Sequence, residues 1–294
     1  MDQASQLRNI IKQNNIAPTK PVARVITITS GKGGVGKSNT AINLAIQLKN
    51  MGQRVIILDA DFGLANIEIM FGTVPKHNLA DLIYQGKNIK DIITWGPGGV
   101  GFISGGSGIA NLSNLNRDHL NYIIKNLSEL DSIADVVIID TGAGISDAVL
   151  EFLVASGEII LVMTPEPTSI TDSYSLLKAL ARHPRFSTEM SEIKMLANKA
   201  ATEEDGQILF DKLNAVVVRY LKLPIAYLGC IPYDVALAEA VMQQKPISLA
   251  APNSKSSLSY EKIASILMNK KFTSNIIRRG MAAFFNHVMK NKNA

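Results

Sequence analysis

The chain has 294 residues, 47% of them hydrophobic and 19% charged, a composition that buries a large core and excludes a disordered chain. Its single cysteine, Cys230, excludes an internal disulfide and any multi-cysteine zinc or iron–sulfur site, and suits a reducing compartment. The net charge of +5 is local: seven of the 30 Lys/Arg lie from Lys262 onward without an Asp or Glu, whereas the first 261 residues carry 23 basic and 25 acidic groups. An anionic partner is therefore expected at the C-terminal end.

In chain order, the polar opening Met1-Asp2-Gln3-Ala4-Ser5-Gln6 lacks the basic-then-apolar order of a secretory signal. No run approaches 18 apolar residues, so no membrane span is expected. Ala17-Pro18-Thr19-Lys20-Pro21 ends any helix before the first strand. Short Val/Ile-rich runs predict buried parallel strands at Ala23–Thr29, Arg54–Asp59, Val100–Ser104, Ala134–Asp140, Glu158–Thr164, Lys194–Asn198 and Ile225–Ile231. Helical patterns fall between them, at Lys37–Met51, Arg117–Leu130, Ile145–Ser156, Ser169–His183, Gly206–Leu221 and Val235–Gln244. Repeated strand-then-helix predicts an α/β fold, a doubly wound and mostly parallel sheet with helices on both faces and ligands at the carboxyl ends of its strands. The expected organisation is an N-terminal segment 1–22, a core 23–271 and an amphipathic tail 272–294.

The first strand runs into Gly31-Lys32-Gly33-Gly34-Val35-Gly36-Lys37-Ser38, and a helix pattern follows from Asn39. The pattern G-x4-G-K-[S/T] arises by accident in roughly 1% of chains this long, and the strand–loop–helix setting is the one a P-loop needs. Such a loop turns backbone N–H groups onto phosphate oxygens at a helix N-terminus. Lys37 then neutralises the β/γ-phosphates and the Ser38 hydroxyl ligates Mg²⁺. Asp59 and Asp61 end the second strand and Asp140 ends Val136-Val137-Ile138-Ile139. A carboxylate at a buried strand end beside a P-loop holds the metal, so Asp140 takes that role with Asp59 in support. The following Thr141-Gly142-Ala143-Gly144 has the composition of a switch turn.

With its second lysine, Lys32, the loop resembles the deviant Walker A motif of the MinD/ParA ATPase family, and Asp59 to Asn66 matches that family's Asp-x-Asp-x-Gly-Leu-x-Asn run. The resemblance implies a MinD-like P-loop fold, ATP/ADP with Mg²⁺, and slow, switch-type hydrolysis. It implies an ATP-sandwiched homodimer with Lys32 acting across the interface, and Asp61 positioning the attacking water. It also implies Asn198 reading adenine with Pro232 against the base, and Thr164-Pro165-Glu166-Pro167-Thr168 as a structural corner.

In the tail, Ile277, Met281, Phe284, Phe285 and Val288 share one helix face flanked by Arg278, Arg279 and Lys290, the make-up of a helix lying on an anionic membrane surface. MinD-like proteins carry a similar targeting helix. The opening Asp2, Gln3, Ala4, Leu7 and Arg8 resemble the activator motif of the flagellar-number branch of the family, the FlhG (FleN) group. There the motif stimulates FlhF, an SRP-type flagellar GTPase. Flagellar C-ring proteins and a flagellar transcription regulator are further implied partners. The implied location is cytoplasmic, reversibly peripheral on the inner membrane, without direct DNA binding. Division-site MinD and a ParA-type DNA-segregation ATPase are the rivals. A non-enzymatic ATP-binding scaffold is disfavoured by Lys32, Asp61 and Asp140 together.

Overall fold

Valine and isoleucine dominate the strands because both faces of a parallel sheet are covered, and here β2 (Val55–Ala60), β5 (Val136–Thr141) and β6 (Glu158–Met163) are buried at every position. The computed structural model describes residues 22–61, 66–105, 117–269 and 280–289. Asp2, Gln3, Ala4, Leu7, Arg8 and Ile277 lie outside the described residues. With β1 (Arg24–Thr29), β3 (Thr94–Trp95), β4 (Gly101–Ile103), β7 (Glu192–Ala200) and β8 (Ala226–Pro232), the strands form one sheet in the order β3-β4-β2-β5-β1-β6-β7-β8. All its pairings are parallel except β3 with β4. Seven strands fall within two residues of their predicted bounds. The eighth, β3, holds two residues, too few to carry a periodicity.

β1 lies at the centre, between β5 and β6. The helices Lys37–Asn50 and Lys255–Asn269 cover one face, packing Ile42, Leu44, Ile46, Tyr260 and Ile263 against Ile26, Ile28 and Phe102. On the other face, helices Arg117–Ser128 and Asp147–Ala155 supply Ile123, Leu127 and Phe152 against Leu58, Val137 and Ile139. Helices Pro167–Arg182 and Glu203–Leu221 pack Leu176, Leu180 and Leu213 around β6 and β7. The doubly wound sheet predicted from the sequence is present. Among the described residues no helix is long and apolar enough to cross a membrane.

A charge network that sequence inspection missed closes the amino ends of the central strands. Arg24 donates from Nε and Nη2 to the two carboxylate oxygens of Glu158 at 2.8 and 2.7 Å, and from Nη1 to the Leu267 carbonyl at 2.7 Å. Lys194, paired with Glu192 at 3.0 Å, also binds Glu158. Burial alone would push the Glu158 carboxyl up, but the hydrogen bonds and charges of Arg24 and Lys194 together hold it below the usual carboxylate range.

The tail helix Gly280–Met289 is docked on the core: on the face expected for a membrane surface, Met281, Phe284, Phe285 and Val288 are buried beside Ile123, Leu127, Leu130 and Phe152. Phe284 stacks on Phe152 with centroids 5.9 Å apart, and Phe285 meets the same ring edge-on at 6.4 Å. Water-exposed apolar surface finds the same relief on a protein groove as in lipid, and burying each such side chain contributes roughly 1.5–3 kcal/mol. Gly280 enters the helix at φ 63, where a Cβ would lie 2.6 Å from Asp131 Oδ2. Asp131 Oδ1 accepts from the Met281 N–H at 2.8 Å, and Arg185 donates to the His287 carbonyl at 2.7 Å. The docked helix is held at both ends.

Candidate nucleotide site

The carboxyl ends of β1, β2 and β5 meet at the glycine loop. β1 ends at Thr29, and Gly31–Gly36 curve over the sheet edge before Lys37 opens its helix. Gly36 sits at φ 100, a left-handed conformation that favours glycine, and a Cβ there would lie 2.3 Å from Asn198 Nδ2. The Thr40 N–H reaches back to the Gly36 carbonyl at 3.0 Å, so the first helical turn forms directly on the loop. Asn39 follows Ser38 in that turn, its carbonyl accepting from Asn43 Nδ2 at 2.8 Å.

Lys37 is buried, and burial lowers its ammonium pKa while Asp140 and Asp61 pull it back up. Asp140 is fully buried, and neither of its carboxylate oxygens accepts a hydrogen bond of good geometry. Burial pushes its pKa up to about 7, restrained by Ser38 and Lys37 nearby and raised further by Asp61. Asp59 faces Asp140 across the β2–β5 pairing. It accepts from the N–H groups of Asp61 at 3.1 Å and Ile67 at 3.4 Å. Burial, then the Asp140 charge, drive its pKa up to about 8. Two buried carboxyls stay raised in this way despite the Lys37 charge beside Asp140. Oxygen donors from Asp140, Asp59 and Ser38 are the set Mg²⁺ prefers, and the orphaned Asp140 oxygens fit it.

Asp61 stands at the rim, its carboxylate accepting from Asn66 Nδ2 at 3.1 Å. It leans over Gly142, where a Cβ would come within 3.2 Å of Asp61 Oδ1. The turn after Asp140 is tied to the cradle, since Thr141 Oγ1 donates to the Ile28 carbonyl at 3.0 Å and the Gly144 N–H to the Ser30 carbonyl at 3.0 Å. Lys37, Ser38, Asp59, Asp61 and Asp140 thus lie together at the carboxyl ends of β1, β2 and β5.

Two readings from the sequence are sharpened. Lys32 does not stand free: its ammonium binds Glu166 and donates to Thr168 Oγ1 at 2.7 Å. The corner Pro165–Thr168, read as structural, therefore supplies the resting partners of the second lysine. Asn198 and Pro232 lie near the carboxyl ends of neighbouring strands, with Ile231 opposite Asn198 and Ala200 opposite Pro232. The Asn198 amide is occupied, however: Nδ2 donates to the Val35 carbonyl at 2.7 Å and Oδ1 accepts from the Lys199 N–H at 3.0 Å. The amide is thus tied to the loop through Nδ2 and to its own strand through Oδ1, and keeps a second N–H and a second lone pair for a further partner.

A glycine loop between a central parallel strand and a helix, with a buried lysine and orphaned acids beside it, defines a P-loop nucleotide-binding protein. Comparison with known proteins makes the class narrower. Residues 21–268 match the ParA family profile, described as NUBPL iron-transfer P-loop NTPase, and the chain belongs to the ParA family of P-loop NTPases. It is similar to the antiactivator FleN of Pseudomonas aeruginosa, 41% identical across 82% of this chain and 85% of the relative. It is also similar to the flagellum site-determining protein YlxH of Helicobacter pylori, 33% identical across 98% of both chains. The fold matches a ParA family ATPase from Chlorobium tepidum with a TM-score of 0.68, at 22% identity over 84% of this chain and 99% of that one. The septum site-determining protein MinD of Pyrococcus horikoshii, complexed with Mg-ADP, gives 0.65 at 23% identity, over 84% and 96%. The single cysteine, Cys230, is buried, and burial pushes its thiol up to about 11.

Proposed function

We propose that the chain is an ATP-driven switch that regulates flagellar number or placement. The observation that carries the ATPase part is the fully buried Asp140, its oxygens without a well-formed hydrogen bond, beside Lys37 and Ser38. The flagellar part rests on similarity to FleN and YlxH across most of the chain. The loop amides and Lys37 hold the phosphates, and Asp61 orients the attacking water. Mg²⁺, when bound through Ser38, Asp140 and Asp59, neutralises phosphate charge. Lys32 leaves Glu166 and Thr168 to reach the phosphates of a second copy, which makes the ATP state a homodimer. The docked tail supports a two-state reading. Membrane binding through Met281, Phe284, Phe285 and Val288 must compete with the groove that buries them, so ATP binding has to favour release. Two tails on one dimer then raise avidity.

The N-terminal segment activates an SRP-type flagellar GTPase, FlhF. A synthetic peptide of residues 1–20, added to that GTPase, is expected to accelerate its GTP hydrolysis. No acceleration would return the chain to division-site or DNA-segregation readings. Vesicles with anionic lipid are expected to bind the full chain more with ATP than with ADP, and equal binding overturns the membrane switch.

A further inference from the structure

Asn198 and Lys199, consecutive at the end of β7, grip consecutive carbonyls of the phosphate loop. Asn198 Nδ2 donates to the Val35 carbonyl at 2.7 Å, and Lys199 Nζ donates to the Gly34 carbonyl at 3.0 Å. Asn198 is buried and Lys199 is exposed, so the first contact is packed in place and the second is made by choice of side chain. Lys199 also holds an uncommon backbone for a residue with a Cβ, φ 57. Its N–H is fixed there by Asn198 Oδ1 at 3.0 Å. Gly36 completes the arrangement, because only a missing Cβ lets Asn198 approach that closely.

A trans peptide points its C=O and the next residue's N–H in opposite directions. Pinning the Gly34 carbonyl toward β7 therefore turns the Val35 N–H away from β7, and pinning the Val35 carbonyl does the same for the Gly36 N–H. These are amides that a phosphate oxygen needs turned toward it before it arrives. A glycine-rich loop left alone samples many peptide orientations, and each one frozen in advance removes an ordering cost from binding.

We propose that Asn198 and Lys199 form a clamp that presets the phosphate-binding amides of Val35 and Gly36, with Lys199 as a positioning residue for phosphate. The clamp acts equally in the ground and transition states. It therefore sets affinity for ATP and ADP alike and leaves the chemical step alone.

The inference rests on reading the loop as a nucleotide site, and calorimetric titration of the full chain with ADP and with ATP separates the two. A parent chain that binds neither nucleotide sinks that reading. Given a binding parent, Lys199→Met and Lys199→Gly are each expected to weaken ADP and ATP about tenfold, the scale of one hydrogen bond from a charged donor. Lys199→Arg is expected to restore binding close to the parent. KM should rise with kcat within about twofold of the parent. Lys199→Gly is the discriminating variant, because glycine accepts the left-handed backbone and leaves the nucleotide-free melting temperature equal or higher. If it binds ADP as the parent does, the ammonium has no positioning role and the proposal fails. It fails equally if Lys199→Arg loses as much as Lys199→Met, or if kcat falls while KM stands still.

Discussion

The two ends of the parallel sheet bury charge in opposite ways. At the amino ends, Glu158 is enclosed by Arg24 and Lys194, and its carboxyl is held below the usual range. At the carboxyl ends, Asp59 and Asp140 are as deeply enclosed, yet their pKa values rise to about 8 and about 7. Desolvation is the largest single influence in all three, so burial does not distinguish them; the partner does. A buried carboxylate hydrogen-bonded by two cations stabilises or specifies the fold, whereas Asp140, with only the Lys37 charge near it, suits a divalent cation. The sheet is closed at one end and open for a ligand at the other.

The strongest way to break this comparison is Glu158→Ala. It strips Arg24 and Lys194 of the carboxylate they share, and urea denaturation should show a loss of about 3–5 kcal/mol. Asp140→Asn should do the reverse at the other end. It leaves nucleotide-free stability at neutral pH unchanged or higher, and it lowers Mg-dependent ATP hydrolysis roughly a hundredfold in steady-state assays. A large loss of folding stability in that variant would mean Asp140 is structural after all.

A pH series reads the same contrast more gently. Asp59 and Asp140 hold protons more tightly when folded, so from about pH 4 to about pH 8 these two carboxyls carry more protons in the folded state than in the unfolded one. Without a divalent cation, stability therefore falls as pH rises through that window and levels off above it. Urea midpoints should be lower at about pH 8.5 than at about pH 5.5, and Asp140→Asn should flatten the slope. Glu158, depressed instead, contributes stability that is present at neutral pH and lost only in acid.

The smallest stability effect belongs to the exposed pair of Lys32 with Glu166. Solvent screens such a pair, so Lys32→Ala should shift the melting temperature by no more than about 1 °C. ATP hydrolysis should nevertheless drop, since the proposed work of Lys32 lies in the nucleotide-bound dimer. A variant that melts early and hydrolyses normally would reverse that assignment.

Local sequence determined the cradle. Gly31–Ser38 between a Val/Ile run and a helix, and acids placed at strand ends, follow from residue type and spacing, because strand, turn and helix N-terminus are short-range structures. Those patterns also placed seven of the eight strands and the alternation of helices between them. Tertiary structure decided what the patterns left open. A helix with Phe284 and Phe285 on one face is apolar enough for lipid or for a groove, and only the presence of Phe152 and Ile123 beside it settles that here it docks. Asn198 and Lys199 have no intrinsic tie to Gly34 and Val35, some 163 to 165 positions earlier; the parallel order β1-β6-β7 brings them together. Arg24, Glu158 and Lys194 likewise carry no sign of one another in the sequence and become a buried network only when three strands align. Chemistry that resides in one turn of chain is legible locally, and chemistry assembled by strand order exists only in the fold.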